Sequence, residues 1–333
     1  MFLLPPPRHP RRGPVARVLT AALGILVASV LVVGATGTLA VVLAGGRGVS
    51  TAGSAAAAAA GTGALAGAAT LPPAPDTADD RVLRAGPRTA TPPVDGAAVL
   101  AAVQAAAAAA RGSITLAVVD ADGTPLVTSP DAGVPVYTAS LVKLLVVGRL
   151  LALEATGGVV LGDGDRSLME RAIVRSDDPA MSVLWDRWDG AALVTALSAD
   201  AGLTGTALPD VAGQWGEATT SAADVAALLA RRDALLGPGP AATLLEWMRA
   251  TTPTAADGFG QDFGLLAGGP AGSVAAKQGW MCCVGGTRQL HSAGVLPGGQ
   301  VVVLLGDFPS GTPWARARTA LDTAAAAVRT AVG

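Results

Sequence analysis

The sequence predicts an α+β domain in which strands from the two ends of the domain form one antiparallel sheet. Apolar runs typical of strands cluster at 113–129 and at 271–309, with short glycine-rich turns inside each cluster. The stretch between the clusters carries helical patterns interrupted by polar residues. Because short turns connect antiparallel neighbours, we expect the two clusters to join in one sheet with a helical section inserted between them.

Each element follows from a local pattern. Residues 94–112 are alanine-rich, with Asp95 as a candidate N-cap and a glycine at the end, which predicts a helix. Residues 113–129 form two apolar runs around an Asp-Gly pair, a pattern typical of a β-hairpin. Further helices are expected at 140–156, twice within 167–188, at 219–236, at 241–252 and at 312–332, and strands at 271–284, 288–299 and 300–309.

Composition limits the classes of partner. The chain has 333 residues and a formal net charge of −2, so no basic field favours nucleic acid, and we expect no nucleic-acid partner. The two cysteines, Cys282 and Cys283, are adjacent and have no nearby histidine or carboxylate, so a zinc site is not indicated, and no metal or cofactor is expected. The cysteines could form a strained disulfide with each other or remain two small buried thiols, and the sequence leaves both open.

The N-terminal part indicates membrane attachment. Four arginines within residues 1–17 precede an uncharged, mostly apolar run over 18–44, long enough to span a bilayer. Arginines before the run predict a cytoplasmic N-terminus, a single-pass signal-anchor helix and an exported domain at the cell membrane. A cleaved signal peptide, giving a secreted protein, is the alternative. Residues 45–94 are rich in Ala, Gly and Pro and are expected to form a disordered tether, with the folded domain at 95–333.

Lysine usage gives the first indication of chemistry. Of 23 basic residues only Lys143 and Lys277 are lysine, and the other 21 are arginine. Arginine keeps its proton at any useful pH, whereas a desolvated lysine can lose it. Lys143 lies three residues after Ser140 at the start of a predicted helix, so both side chains share a face. A serine beside a neutral lysine is a nucleophile with its own base. The alternative is a serine that caps the helix and a lysine that snorkels to solvent.

Two further motifs are candidates for the same site. Ser176 and Asp178 lie immediately before Pro179, either on a loop facing the nucleophile or at an ordinary helix start with an Asp N-cap. Lys277 lies in an apolar strand with Gly279 two residues later, where glycine would let a substrate backbone approach closely. The alternative for Lys277 is an edge-strand lysine that discourages aggregation.

These three motifs, Ser140-Leu-Val-Lys143, Ser176-Asp-Asp178 and Lys277-Gln-Gly279, together resemble those of the penicillin-recognising serine enzymes. That family, which includes class A β-lactamases and penicillin-binding proteins, carries S-x-x-K, S-D-N and K-T-G in this chain order. The resemblance covers about 95–333 and implies the β-lactamase/transpeptidase-like fold, with helices on both faces of the sheet and an all-helical subdomain.

The resemblance implies a role for each residue. Ser140 would form an acyl-enzyme with a β-lactam, a D-Ala-type peptide or a related small acyl substrate, and Lys143 would accept its proton. Ser176 would pass a proton to the leaving nitrogen. The backbone N–H groups of Ser140 and Trp280 would form the oxyanion hole. The substrate-binding residues would be Asp178, Lys277, Gln278 and Gly279, with Arg288 as an inferred second partner for the substrate carboxylate.

The sequence also departs from the family pattern. Asp178 replaces an asparagine and cannot donate a hydrogen bond when ionised, and Gln278 replaces a hydroxyl residue. The loop around Glu217 lacks the Glu and Asn that position the deacylating water in class A β-lactamases. We therefore expect a serine hydrolase or acyl-transferase that is poor at deacylation. The alternative is a catalytically silent binding module of the same fold at the cell envelope.

Overall fold

A computed structural model of the protein describes residues 94–332. The predictions for 1–17, 18–44 and most of 45–94 lie outside the described residues. Within the described range no helix combines the length and the apolar character needed to cross a membrane. The helices are α1 Gly96–Ala109, α2 Val142–Ala155, α3 Asp163–Val174, α4 Asp178–Arg187, α5 Gly190–Ala201, α6 Ala222–Ala230, α7 Arg232–Leu236, α8 Pro238–Arg249 and α9 Trp314–Val332.

Five of the strands form one antiparallel sheet. The strands are β1 Ser113–Val119, β2 Pro125–Thr128, β3 Val136–Tyr137, β4 Thr219–Thr220, β5 Ala275–Val284, β6 Thr287–Val295 and β7 Val301–Pro309. The sheet order is β2-β1-β7-β6-β5, so β1 from the first strand cluster pairs directly with β7 from the last. This pairing confirms the sheet predicted from the two ends of the domain. It leaves β5, which carries Lys277, at an edge of the sheet.

The two faces of the sheet pack against different helices. Along β7, Val301, Val303 and Leu305 belong to a core shared with α2, α3, α5, α6 and α8. Val302, Leu304 and Phe308 belong to a second core with α1 and α9. Successive side chains of a strand point to opposite faces, so this uninterrupted apolar run is buried on both sides. The α+β class, with helices on both faces and a helical subdomain, is thus confirmed.

Local sequence explains most element boundaries. The Asp95 carboxylate accepts a hydrogen bond from the N–H of Ala98 at 3.0 Å and caps α1 as expected. Gly123 closes the β1–β2 turn with a φ of +88°, a conformation that glycine adopts without strain. By contrast, α5 and the short β3–β4 pair were not predicted, and the single helix expected over 219–236 divides into α6 and α7.

Candidate active site

Ser140 lies on a single 3-10 turn, Ala139–Leu141, that leads into α2. The α-helix therefore begins at Val142 rather than near Ser140, but the spacing of three residues still places Ser140 and Lys143 on one face. Ala139, just before the serine, has a φ of +44°, which costs a non-glycine residue about 1–2 kcal/mol. Such strain persists only where surrounding structure holds it in place.

Two contacts hold this strained turn. The backbone N–H of Thr138 donates to the carbonyl of Ala218 at 2.7 Å. Nε2 of the fully buried His291 lies 2.9 Å from the carbonyl oxygen of Tyr137. A carbonyl oxygen only accepts hydrogen bonds, so Nε2 carries the hydrogen. Burial lowers the pKa of His291 to about 4, which keeps the ring neutral at pH 7. His291 therefore positions the serine turn and does not reach the serine itself.

Lys143 is the centre of the site, and its side chain is completely buried. Its Nζ lies 2.9 Å from Ser140 Oγ, 2.7 Å from the carbonyl oxygen of Ser176, 3.3 Å from Ser176 Oγ and 2.5 Å from Asp178 Oδ1. The indole of Trp215 covers the ammonium group, with its ring centroid 5.1 Å from Nζ. This arrangement excludes the snorkelling alternative, in which the nitrogen would be in water.

Burial is the dominant influence on the charge of Lys143. Desolvation lowers the pKa of Lys143 below its ordinary value, and the Asp178 carboxylate opposes part of that effect. The Asp178 side chain is 58% exposed, so water screens its interaction with the lysine. The balance favours the neutral amine more than in a lysine at the surface.

The two aspartates of the Ser-Asp-Asp motif make different contacts. Asp177 is the N-cap of α4, where its carboxylate accepts from the N–H of Ala180 at 2.9 Å and pairs with Arg171. Burial alone would raise the pKa of Asp177, but these two partners hold it below its usual range. Asp178 is then free to face Lys143, so Asp177 forms the predicted helix start and Asp178 lies against the serine–lysine pair.

Ser176 connects the two lysines. It has a φ of +49°, a second strained position, which turns both its carbonyl and its hydroxyl toward Lys143. Nζ of Lys277 lies 2.8 Å from Ser176 Oγ and 2.7 Å from the carbonyl oxygen of Gln278. Lys277 is also fully buried, and desolvation together with the neighbouring Lys143 lowers its pKa well below the ordinary value. Lys277 is therefore not an edge lysine facing solvent.

The structure brings Ser140, Lys143, Ser176, Asp178 and Lys277 together and places other predicted residues elsewhere. The amide nitrogen of Gln278 donates to the carbonyls of Gln261 and Phe263, on the opposite face of β5 from Lys277. The Arg288 guanidinium lies over the ring of Trp314, with its carbon 4.4 Å from the centroid, and donates to the carbonyl of Ser310. Neither side chain contacts the serine–lysine cluster.

Gly279 and Trp280 lie on β5 beside the serine turn. A Cβ added at Gly279 would meet the carbonyl oxygen of Thr138 at 3.2 Å, so here glycine lets the strand approach the protein's own turn. The Trp280 ring stacks on Phe259 at 4.7 Å between centroids, and its Nε1 donates to Asp257 at 3.0 Å. The negative charge of Asp257 acts on both buried lysines, and no sequence motif indicated this residue.

The cysteine pair lies beyond the site on the same strand. Cys282 and Cys283 are joined by a disulfide at the exposed end of β5. The alternative of two buried thiols is therefore wrong, because both cysteines are exposed.

Sequence comparisons find relatives of part of the chain. The sequence model of the Beta-lactamase enzyme family matches residues 166–328, which include the second and third motifs and begin after Ser140 and Lys143. "Putative lipoprotein LppW" of Mycobacterium tuberculosis (strain ATCC 25618 / H37Rv) is 36% identical over 196 residues, which cover 57% of this chain and 61% of that protein. The chain thus matches about three fifths of the length of this curated relative.

Solved structures share the fold. A β-lactamase from Chitinophaga pinensis DSM 2588 superposes with a TM-score of 0.60 at 16% identity, covering 71% of this chain and 99% of that structure. A β-lactamase from Desulfarculus baarsii DSM 2075 gives 0.58 at 21% identity, covering 72% and 99%. The resemblance to the penicillin-recognising serine enzymes is confirmed, and the fold is that of β-lactamases and related transpeptidase-like proteins.

Proposed function

We propose that this protein is an extracytoplasmic serine hydrolase or acyl-transferase that forms an acyl-enzyme at Ser140. The observation that carries the proposal is the position of Lys143 Nζ, fully buried and 2.9 Å from Ser140 Oγ. The substrate class is a β-lactam, a D-Ala-type cell-wall peptide or a related acyl compound. The fold of the solved relatives and the three motifs support this class.

The hydrogen-bond partners of Lys143 suit a general base. A neutral amine has two hydrogens and one lone pair. The carbonyl of Ser176 and the Asp178 carboxylate are acceptors that take the two hydrogens, at 2.7 Å and 2.5 Å. The lone pair then points toward the Ser140 hydroxyl, which donates its proton as the oxygen attacks the substrate carbonyl.

The remaining residues complete the acylation step. The Ser140 oxygen bonds to the carbonyl carbon, and the developing oxyanion is bound by the backbone N–H groups of Ser140 and Trp280. As the carbon–nitrogen bond breaks, Ser176 gives its proton to the leaving nitrogen and regains one from Lys143, 3.3 Å away. Lys277, 2.8 Å from Ser176 Oγ, holds that hydroxyl in place.

Lys277 also binds the carboxylate of the substrate. Burial favours its neutral form, so an incoming carboxylate is bound together with a proton, which raises the pKa of Lys277 in the complex. Affinity for a carboxylate-bearing substrate therefore falls as pH rises. Gln278 and Arg288 have no part in this proposal, because their side chains are engaged elsewhere.

Deacylation is slow in this proposal. Within the described residues, the carboxylate in contact with the cluster is Asp178, which is paired with Lys143. Glu217 lines a separate pocket beside the serine turn. A water molecule at the acyl carbon thus lacks a dedicated base, and the acyl group is long-lived or is transferred to an amine.

A silent binding module is the second candidate, and one observation favours it. The ion pair at 2.5 Å between Lys143 and Asp178 stabilises the charged lysine, which cannot act as a base. The apolar run over 18–44, predicted as a signal anchor or a cleaved signal peptide, and the name of the lipoprotein relative support a location at the cell envelope for either candidate.

Intact mass spectrometry tests the enzyme proposal. The full chain, purified in detergent, is incubated with benzylpenicillin beside its Ser140→Ala variant. We expect an adduct of the mass of penicillin that is absent in the variant and persists for minutes or longer. Consumption of penicillin without a lasting adduct would disprove slow deacylation. An adduct that remains in the variant would disprove Ser140 as the nucleophile.

A further inference from the structure

A second pocket lies beside the serine turn, outside the lysine cluster. It has a volume of about 360 Å³ and is enclosed by the β3–β4 pair, the loop between α5 and β4, and the ends of β6 and β7. Three carboxylates line it, from Asp210, Glu217 and Asp307, together with polar side chains including Gln289. We refer to it as the acidic pocket.

The acidic pocket has an unbalanced charge. Its lining includes no lysine, arginine or histidine, and within residues 94–332 none of its three carboxylates forms an ion pair. The described residues also contain no group of three or more ligating side chains arranged to hold a metal ion. Three uncompensated negative charges around one cavity attract a cation, and an organic cation suits this spacing better than a metal ion.

Gln289 provides an independent observation. The residue is only 1% exposed, and its amide nitrogen donates to Thr287 Oγ1 at 3.0 Å and to Asp307 Oδ1 at 3.3 Å. Its carbonyl oxygen Oε1 is buried and has no donor among the described residues. A buried acceptor without a partner costs about 1–3 kcal/mol. The pocket thus lacks a hydrogen-bond donor, and an ammonium group offers three donors and no acceptor.

The acidic pocket and the serine site share walls. Tyr137 lines the pocket and lies three residues before Ser140, on the segment held by His291. Glu217 lines the pocket and belongs to the same 3-10 turn as Trp215, which covers Lys143. A ligand with its acyl group at Ser140 therefore has this pocket directly beside the turn.

We propose that the acidic pocket binds an alkylammonium group carried by the substrate of the serine site. This inference rests on the proposed function for its link to the substrate, but binding of the ammonium group does not require catalysis. The ammonium group donates to Gln289 Oε1 and is balanced by Glu217, Asp307 and Asp210. Acyl substrates with an aliphatic amine are then preferred over uncharged ones of equal length.

Binding is measured first in the catalytically inactive Ser140→Ala form of the full chain. Isothermal titration calorimetry compares n-pentylammonium chloride with n-pentanol, which has the same alkyl chain and no charge. We expect the ammonium salt to bind and the alcohol not to bind. Adding Glu217→Gln should weaken ammonium binding about tenfold or more, since a charge-assisted hydrogen bond is lost. The control is Asp186→Asn, which removes one negative charge at an exposed residue outside the pocket. It should leave the affinity for n-pentylammonium unchanged.

Two results of this experiment would overturn the proposal. One is equal binding, or equal absence of binding, for the salt and the alcohol. The other is an unchanged affinity in the Glu217→Gln protein, which would place the ammonium elsewhere. Because Ser140 is absent from these proteins, failure of the enzyme proposal does not affect this readout.

The link to the substrate is tested with the native serine. Acylation rates are compared for phenyl esters of ω-aminoalkanoic acids with four to eight methylene groups and for the matching alkanoic esters. We expect one chain length to be acylated about tenfold faster with the amine than without it, and this preference to disappear in Glu217→Gln. A series without any preference, despite ammonium binding, would assign the pocket to a separate ligand and refute the link.

Discussion

Lys143 and Lys277 are the same residue type, are both fully buried and both contact Ser176, yet their surroundings differ in charge. Lys143 has a carboxylate oxygen of Asp178 at 2.5 Å, whereas the hydrogen bonds of Lys277 Nζ within residues 94–332 are to a hydroxyl and a carbonyl. Desolvation lowers the pKa of both, and the charges of Asp178 and Asp257 oppose this effect at both, but Asp178 is in direct contact with Lys143. Burial lowers the pKa of a lysine, and a carboxylate in contact with the amine raises that pKa again.

The largest expected effect is at Lys143. Replacing it with arginine places a permanent cation at this position and removes the base, because arginine does not lose its proton. We expect the acylation rate to fall about 10³-fold, within the range of general-base catalysis. Stopped-flow acylation with a fluorescent penicillin measures this rate, and Arg149→Lys on the same helix is the control. A protein that binds ligand equally well with arginine at 143 would instead support the silent binding module.

His291 should affect the stability of the fold rather than catalysis. Its pKa of about 4 in the folded state lies below the ordinary 6.5, so below pH 6.5 the unfolded state binds a proton that the folded state excludes. Stability is therefore full above pH 6.5 and falls by about 3 kcal/mol as pH falls toward 4. Urea unfolding at several pH values measures this loss, and His291→Gln should show less of it. A His291→Gln protein with the same pH dependence would refute this assignment.

Lys277 should give a pH dependence of stability with the same sign as that of His291, but at higher pH. Its pKa is lowered on folding, so below 10.5 the unfolded state binds the proton more readily, and unfolding takes up a proton. The free energy of unfolding should then rise with pH toward 10.5, by up to about 1.4 kcal/mol per pH unit. Lys277→Met should flatten this rise in urea titrations between pH 7 and 10. An unchanged slope would mean that Lys277 stays protonated in the fold.

The smallest expected effect is at Asp178. Replacing it with asparagine removes the acid that raises the pKa of Lys143, so the basic form becomes available at lower pH. The rise of the acylation rate with pH should move to lower pH. At pH 7 the rate should increase up to about fivefold, since water screens the exposed Asp178 carboxylate and limits the pair to ~1 kcal/mol. A pH–rate profile measures this shift. Movement to higher pH would show that Asp178 acts on acylation by another route.

Part of the fold and of the candidate site is marked by features of the sequence. The sheet, its pairing across the two ends of the domain and the meeting of both lysines at one site could be predicted, because short motifs and a rare residue type mark them. α5 was missed because its alanine-rich sequence does not differ from the background composition. The orientation of Gln278 was missed because its side chain is fixed by carbonyls of Gln261 and Phe263, which no pattern near 278 reveals.

The burial of both lysines has a consequence for chemical labelling. The sequence has no other lysine, so apart from the α-amino group every amine of the chain lies in the candidate active site and is shielded from solvent. An amine-reactive reagent that modifies Lys143 or Lys277 must therefore enter that site. The extent of such labelling, located by peptide mapping, becomes a direct measure of how often the site opens, without any knowledge of the natural substrate.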